Sequence, residues 1–158
     1  MTSMLVAAWM MWLTTRPALA PPEQGPVVTV LGRKAYRDGD VIEIRDVHAT
    51  SPKLEQGDSL TVRGRFRLQS EDEAQLSLYV TQTGSPVATP IDPDQTVRVE
   101  NGEGEFELKT TITHRGALHV SFYDTKSGQS FGGVYFGTRE QMKRIEAWDV
   151  GVDRKDDK

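Results

Sequence analysis

The chain has no cysteine. That excludes disulfides, thiolate metal sites, a cysteine nucleophile and a lipid anchor on cysteine, so the core alone must hold the fold. An excess of positive charge is also missing: 19 Lys and Arg stand against 23 Asp and Glu, a net charge of −4. If Arg16 left with a leader, 18 basic residues would face the same 23 acidic ones and the net charge would be −5. A mildly acidic, charge-mixed surface argues against general nucleic-acid binding, which needs a basic face. The sequence contains no G-x-S-x-G elbow and no G-x-x-x-x-G-K-[ST] phosphate loop. His48, His114 and His119 show neither the i, i+2 strand spacing nor the i, i+4 helix spacing of a metal site. Catalytic residues, metal and cofactor are all expected to be none. No internal repeat occurs, and 158 residues leave room for one domain.

Long apolar runs are scarce as well. The one near the start, Met4 to Leu13 (MLVAAWMMWL), is too short to cross about 30 Å of hydrocarbon as a helix. Its length fits the apolar region of a signal peptide, and Ala18-Leu19-Ala20 reads as the cleavage box. Residues 1–20 are therefore expected to be a signal peptide or uncleaved leader, and the protein to be exported, periplasmic or extracellular. Two details run against this. No Lys or Arg precedes the run, which points to a start upstream or to a longer parent chain, and Pro21 follows the box directly.

Beyond the leader, residues 21–37 open with Pro21 to Pro26 (PPEQGP) and read as a linker with a possible short strand at Val27 to Leu31. From Asp38 the hydrophobic period is two. Ile42 and Ile44 alternate with charges; Leu60, Val62, Phe66 and Leu68 alternate with Thr61, Arg63, Arg65 and Arg67; Leu118, Val120 and Phe122 alternate with His119, Ser121 and Tyr123. Leu76 to Val80, Val97 and Val99, Phe106 to Ile112, and Val134 to Phe136 complete the series. Alternation makes one face of each strand dry and the other wet, as in antiparallel sheets. Turn signals at Gln56-Gly57-Asp58, Ser70 to Glu73, Gly84-Ser85-Pro86, Asn101-Gly102, Arg115-Gly116 and Lys126-Ser127-Gly128 divide the runs. About seven short strands so punctuated predict an all-β fold. The expected form is an antiparallel immunoglobulin-like β-sandwich over residues 38–137. Asn101-Gly102 is expected to turn a tight hairpin between the Val97 and Phe106 strands. Thr138 and Gln141 form a capping-box pattern, and Met142, Ile145 and Trp148 share one face, so residues 138–148 are a predicted short C-terminal helix. Residues 149–158 are a charged tail.

Few constellations carry chemistry. Arg63, Arg65 and Arg67 place three cations on one strand face, about 7 Å apart. They either dock an anionic ligand or carboxylate-rich partner, or pair across the sheet with Glu43 or with Glu105 and Glu107. His119 is expected to be a solvent-facing strand histidine. Asp38/Asp40, Asp92/Asp94 and Glu105/Glu107 are carboxylate pairs in wet positions, where acid–base work would need one carboxyl desolvated. Asp92, Asp94 and Glu100 lack the regular spacing of a calcium loop. In Phe131-Gly132-Gly133-Val134-Tyr135-Phe136-Gly137 the glycines allow a bulge or a close strand approach, with Tyr123 and Tyr135 as a possible stacking surface.

Gly57 to Gly64, Phe66 to Ser70, Ala74 to Thr81, His119 to Tyr123 and Phe131 to Thr138 together resemble an uncharacterised β-sandwich domain of planctomycete-type bacteria. The resemblance spans roughly Asp38 to Thr138. Similar domains stand alone behind a leader or are appended to longer chains, some of them labelled sigma-factor-like. It implies a fold module and supplies no activity. The expected function is a non-enzymatic extracytoplasmic module binding a protein or anionic ligand. It would contact a membrane only through an uncleaved leader. The alternative is a sensory or regulatory C-terminal domain of a larger membrane-anchored protein.

Overall fold

A computed structural model describes residue 20, residues 22–82 and residues 93–146. The apolar run and most of the leader, the turn signals from Gly84 to Asp92, Trp148 and the charged tail lie outside the described residues. The strands are β1 (Gly25–Pro26), β2 (Val30–Ala35), β3 (Val41–Ala49), β4 (Ser59–Gln82), β5 (Thr96–Thr111), β6 (Gly116–Tyr123) and β7 (Ser130–Gly137). A 3-10 turn at Pro93–Gln95 leads into β5, and one helix, α1 (Arg139–Glu146), follows β7. The all-β class and the short C-terminal helix agree with the periodicity.

Every strand pairing is antiparallel, and the seven strands form one hydrogen-bonded sheet curled into a half-barrel. β4 makes this possible. Along one edge it pairs with β5 from Ser59 to Leu68 and again from Glu73 to Ser77; along the other it pairs first with β3, from Leu60 to Arg67, and then with β6, from Gln75 to Gln82. β6 continues to β7 and then to β2, while the two-residue β1 extends β3. Residues 21–37, read as a linker with one possible strand, thus contribute two strands to the sheet.

Two expected turns are not turns. Ser70 to Glu73 lies within β4, and Asn101-Gly102 lies within β5 rather than at a hairpin tip. The residues face each other at a register shift. Gln69 to Asp72 on β4 stand opposite Asn101 alone, between the pairs Leu68–Gly102 and Glu73–Glu100. Gly102 has φ of 125°, a conformation that glycine reaches without the Cβ penalty. Residues with turn chemistry here bend a long hairpin instead of closing a short one, as a β-bulge does.

The bend lets both halves of the sheet share a core. Leu60, Val62, Leu68, Leu76, Leu78, Val120, Phe122 and Phe136 are fully buried within one cluster. Phe66 and Phe122 meet edge to face across it, ring centroids 6.5 Å apart. Glycine and phenylalanine are exchanged between strands: Gly64 faces Phe106 and Gly104 faces Phe66, each ring covering the missing side chain opposite. A second, smaller cluster joins Met142 and Ile145 of α1 to Ala117, with Val30 and Tyr135 at its edge.

Candidate functional site

The arginine stripe lies on the outer face of the first half of β4. Register sets Arg63, Arg65 and Arg67 opposite Glu107, Glu105 and Glu103 on β5, and opposite Asp46, Glu43 and Val41 on β3. Arg63 Nε donates to Glu107 at 2.6 Å and its Nη1 to Asp46 at 3.4 Å; Arg65 Nε donates to Glu105 at 3.1 Å. Lys109 reaches Glu107 at 2.8 Å, and Arg45 lies 3.8 Å from Glu43 and 3.5 Å from Glu105. Arg67 Nε donates to the Gly39 carbonyl at 2.7 Å. Hydrogen bonds from Lys109 and Arg63 hold the Glu107 carboxyl below its ordinary range. Arg45, Arg63, Arg65, Arg67 and Lys109 are thus interleaved with Glu43, Asp46, Glu103, Glu105 and Glu107. The face neutralises itself, so an anionic ligand there would compete with carboxylates already in place.

His119, Tyr123 and Tyr135 come together on the outer face of the other half, with Tyr79, which sequence reading did not include. His119 faces Tyr79 on β4 and Tyr135 on β7 across the ladder. Its ring centroid lies 6.3 Å from that of Tyr79 and 5.3 Å from that of Tyr135, and Tyr79 meets Tyr123 edge-on at 5.3 Å. His119 was expected to face solvent. It does point outward, but the large neighbouring rings leave it partly buried, and that burial pushes the imidazole down to about 4. Burial likewise pushes the Tyr123 phenol up.

His119 Nδ1 lies 2.9 Å from Ser121 Oγ. A histidine beside a serine invites a nucleophilic reading. Ser121, however, is 5% exposed, its hydroxyl filling the slot left by Gly133 on β7. A hydroxyl wedged between strands offers no approach to an electrophile. Of the other carboxylate candidates, Asp40 is not wet: it is 3% exposed and accepts three hydrogen bonds from Gln69 and Ser70.

A third feature lies at the end of the sheet, where α1 docks. Thr138 Oγ1 accepts from the Gln141 amide at 3.2 Å and Gln141 Oε1 accepts from the Thr138 amide at 2.9 Å, closing the capping box. The same Gln141 donates from Nε2 to the carbonyls of Lys53 (3.2 Å) and Leu54 (2.9 Å). One side chain therefore caps the helix and clamps it to the β3–β4 connection. Leu54, buried in the core, has φ of 53°, alone among the described non-glycine residues in the left-handed region. Gln56 Nε2 donates to the Thr113 carbonyl at 3.0 Å and ties the same connection to the β5–β6 link. Between these walls runs a groove of about 980 Å³, whose charged lining is Lys53, Glu55, Arg115, Arg139, Glu140 and Arg144.

These groove residues carried no signal in the sequence, because they come from three separate segments with no shared spacing. Among the described residues, the side chains of Lys53, Arg115, Arg139 and Arg144 make no ion pair or hydrogen bond. No helix among the described residues is long and apolar enough to cross a membrane. No protein-family model, no curated protein and no solved structure matches this chain.

Proposed function

We propose that the protein is a non-enzymatic, exported binding module, sandwich-like in how its curled sheet packs, and that its ligand or partner binds in the groove beside α1. The groove carries this reading because it is a concavity with fixed walls. Gln141 and Gln56 lock three segments together, and the left-handed Leu54 is held among core side chains. The arginine face, by contrast, is spent on its own cross-strand pairs, and the His119–Tyr79–Tyr135 face is filled by its own rings. Export rests on the apolar Met4 to Leu13 run and the Ala18-Leu19-Ala20 box.

The test is amide chemical-shift mapping with a panel of neutral, cationic and anionic small-molecule probes. Shifts gathered on residues 53–56, 113–116 and 138–144 are expected. Shifts gathered on the β3–β5 outer face, or around His119, would overturn the assignment.

A further inference from the structure

The groove's charge is what distinguishes it from the rest of the surface. Over the whole chain acidic residues outnumber basic ones, and the long β3–β4–β5 face carries as many carboxylates as cations, five of each. Among the described residues lining the groove, four cations, Lys53, Arg115, Arg139 and Arg144, stand against two carboxylates, Glu55 and Glu140, an excess of two positive charges. The four sit on three different segments held by the Gln141 and Gln56 bonds, so their convergence does not depend on one loose loop. The apolar floor is already closed, Leu54, Ile112, Leu118 and Ile145 each being at most 6% exposed. Apart from Pro52, the exposed side chains of the lining are charged or polar, so charge and hydrogen bonding set what the groove recognises. Three of the cations are arginines, whose planar forks match oxyanions in pairs. The first turn of α1 adds the positive end of a helix dipole beside Arg139 and Glu140.

We infer that the groove binds an oxyanion ligand of two or more negative charges, carboxylate or phosphate. This rests on the reading of the groove as the ligand site and names the chemistry that fills it.

Sodium tripolyphosphate and a tetraglutamate peptide are the probes, titrated separately by calorimetry into the 158-residue chain. Binding by at least one is expected. It should weaken several-fold as salt rises from about 10 to about 100 mM, which shortens the Debye length from roughly 30 to 10 Å. Arg139→Gln/Arg144→Gln should weaken it at least about tenfold, because charge-assisted bonds to the anion are lost. Arg63→Gln/Arg65→Gln should leave it unchanged. Lys53→Gln/Arg115→Gln is the second variant, carrying the same expectation if the first pair melts early. Phosphate alone binding, or glutamate alone, identifies the source of the anion. If neither probe binds, or if binding survives both groove variants, the oxyanion inference fails. Neutral probes shifting the same groove amides would then leave the groove itself standing as a site.

Discussion

The Asp40 carboxylate grips Ser70 twice: Oδ1 accepts from the Ser70 amide at 3.0 Å and Oδ2 from its hydroxyl at 2.6 Å. Oδ1 also accepts from the Gln69 amide at 2.8 Å. These are the backbone groups that the bulge in β4 takes out of the sheet ladder, and Asn101 Nδ2 donates from the far side to the Glu71 carbonyl at 3.0 Å. A buried anion and an amide thus replace the hydrogen bonds that the bend removes. Asp40→Ala leaves those donors unsatisfied and should cost about 3 kcal/mol or more. Asp40→Asn, which keeps one acceptor oxygen, should cost less. Chemical denaturation of both variants measures the difference, and equal stabilities would refute the bend's dependence on this carboxylate.

The charged face should be a modest, salt-sensitive stabiliser. Arg63→Gln and Arg65→Gln each remove exposed cross-strand pairs, whose worth is small and screened. The expected result is a slightly lower melting temperature at low salt that converges on the parent protein at high salt. A large drop that salt does not reduce would mean that the stripe supports packing rather than charge balance.

His119 gives stability an acid limit. Its ordinary value is 6.5 and in the fold about 4. Between those values the unfolded chain takes up a proton that the folded chain refuses, so stability falls as pH drops through the window. The full loss is roughly 3 kcal/mol by the end of it, at 1.36 kcal/mol per unit. Glu73, Glu107 and Asp124, all held below their ordinary values of 4.5, 4.5 and 3.8 by hydrogen bonds, add losses that begin as pH falls to those values, at the acid end of the window. Unfolding free energy measured from pH 7 down to pH 5, above the range of the carboxyls, should slope in the parent and flatten in His119→Gln. A slope that persists in the variant would assign it to other groups.

Gln141 has two duties that substitution separates. Gln141→Glu keeps the oxygen that caps the Thr138 amide but loses the donor to the Lys53 and Leu54 carbonyls. Gln141→Ala loses both, with about 1 kcal/mol for the cap and a similar sum for the clamp. Hydrogen exchange should show Gln141→Glu loosening residues 53–56 while the helix stays protected. Gln141→Ala should loosen both. Unchanged exchange in the 53–56 segment would show that the clamp does not hold the groove wall.

Local signals account for what was legible in advance. Alternation at period two assigned Leu60, Val62, Leu118, Val120 and Phe122 to the core and Arg63, Arg65 and His119 to the outer faces. The Thr138–Gln141 spacing located the helix start, because capping is a matter of three residues. Even the cross-strand pairing of the arginines was one of two readings open in the pattern, since a strand can name its possible partners but not its neighbours.

Everything that depended on register stayed out of reach until the tertiary structure supplied it. Whether Ser70 to Glu73 and Asn101-Gly102 turn or bend the chain depends on their facing each other across a hairpin. Asp40 became buried because β3 starts beside that bend, and His119 because tyrosines from β4 and β7 land on either side of it. The groove is the extreme case. Lys53, Arg115, Arg139 and Arg144 meet only because the sheet curls and α1 folds back on its end. Sequence by itself determined which way each side chain would face, a property of adjacent peptide units. Only tertiary structure decided which side chains would face one another, because that is set by hydrogen bonds between residues far apart in the chain.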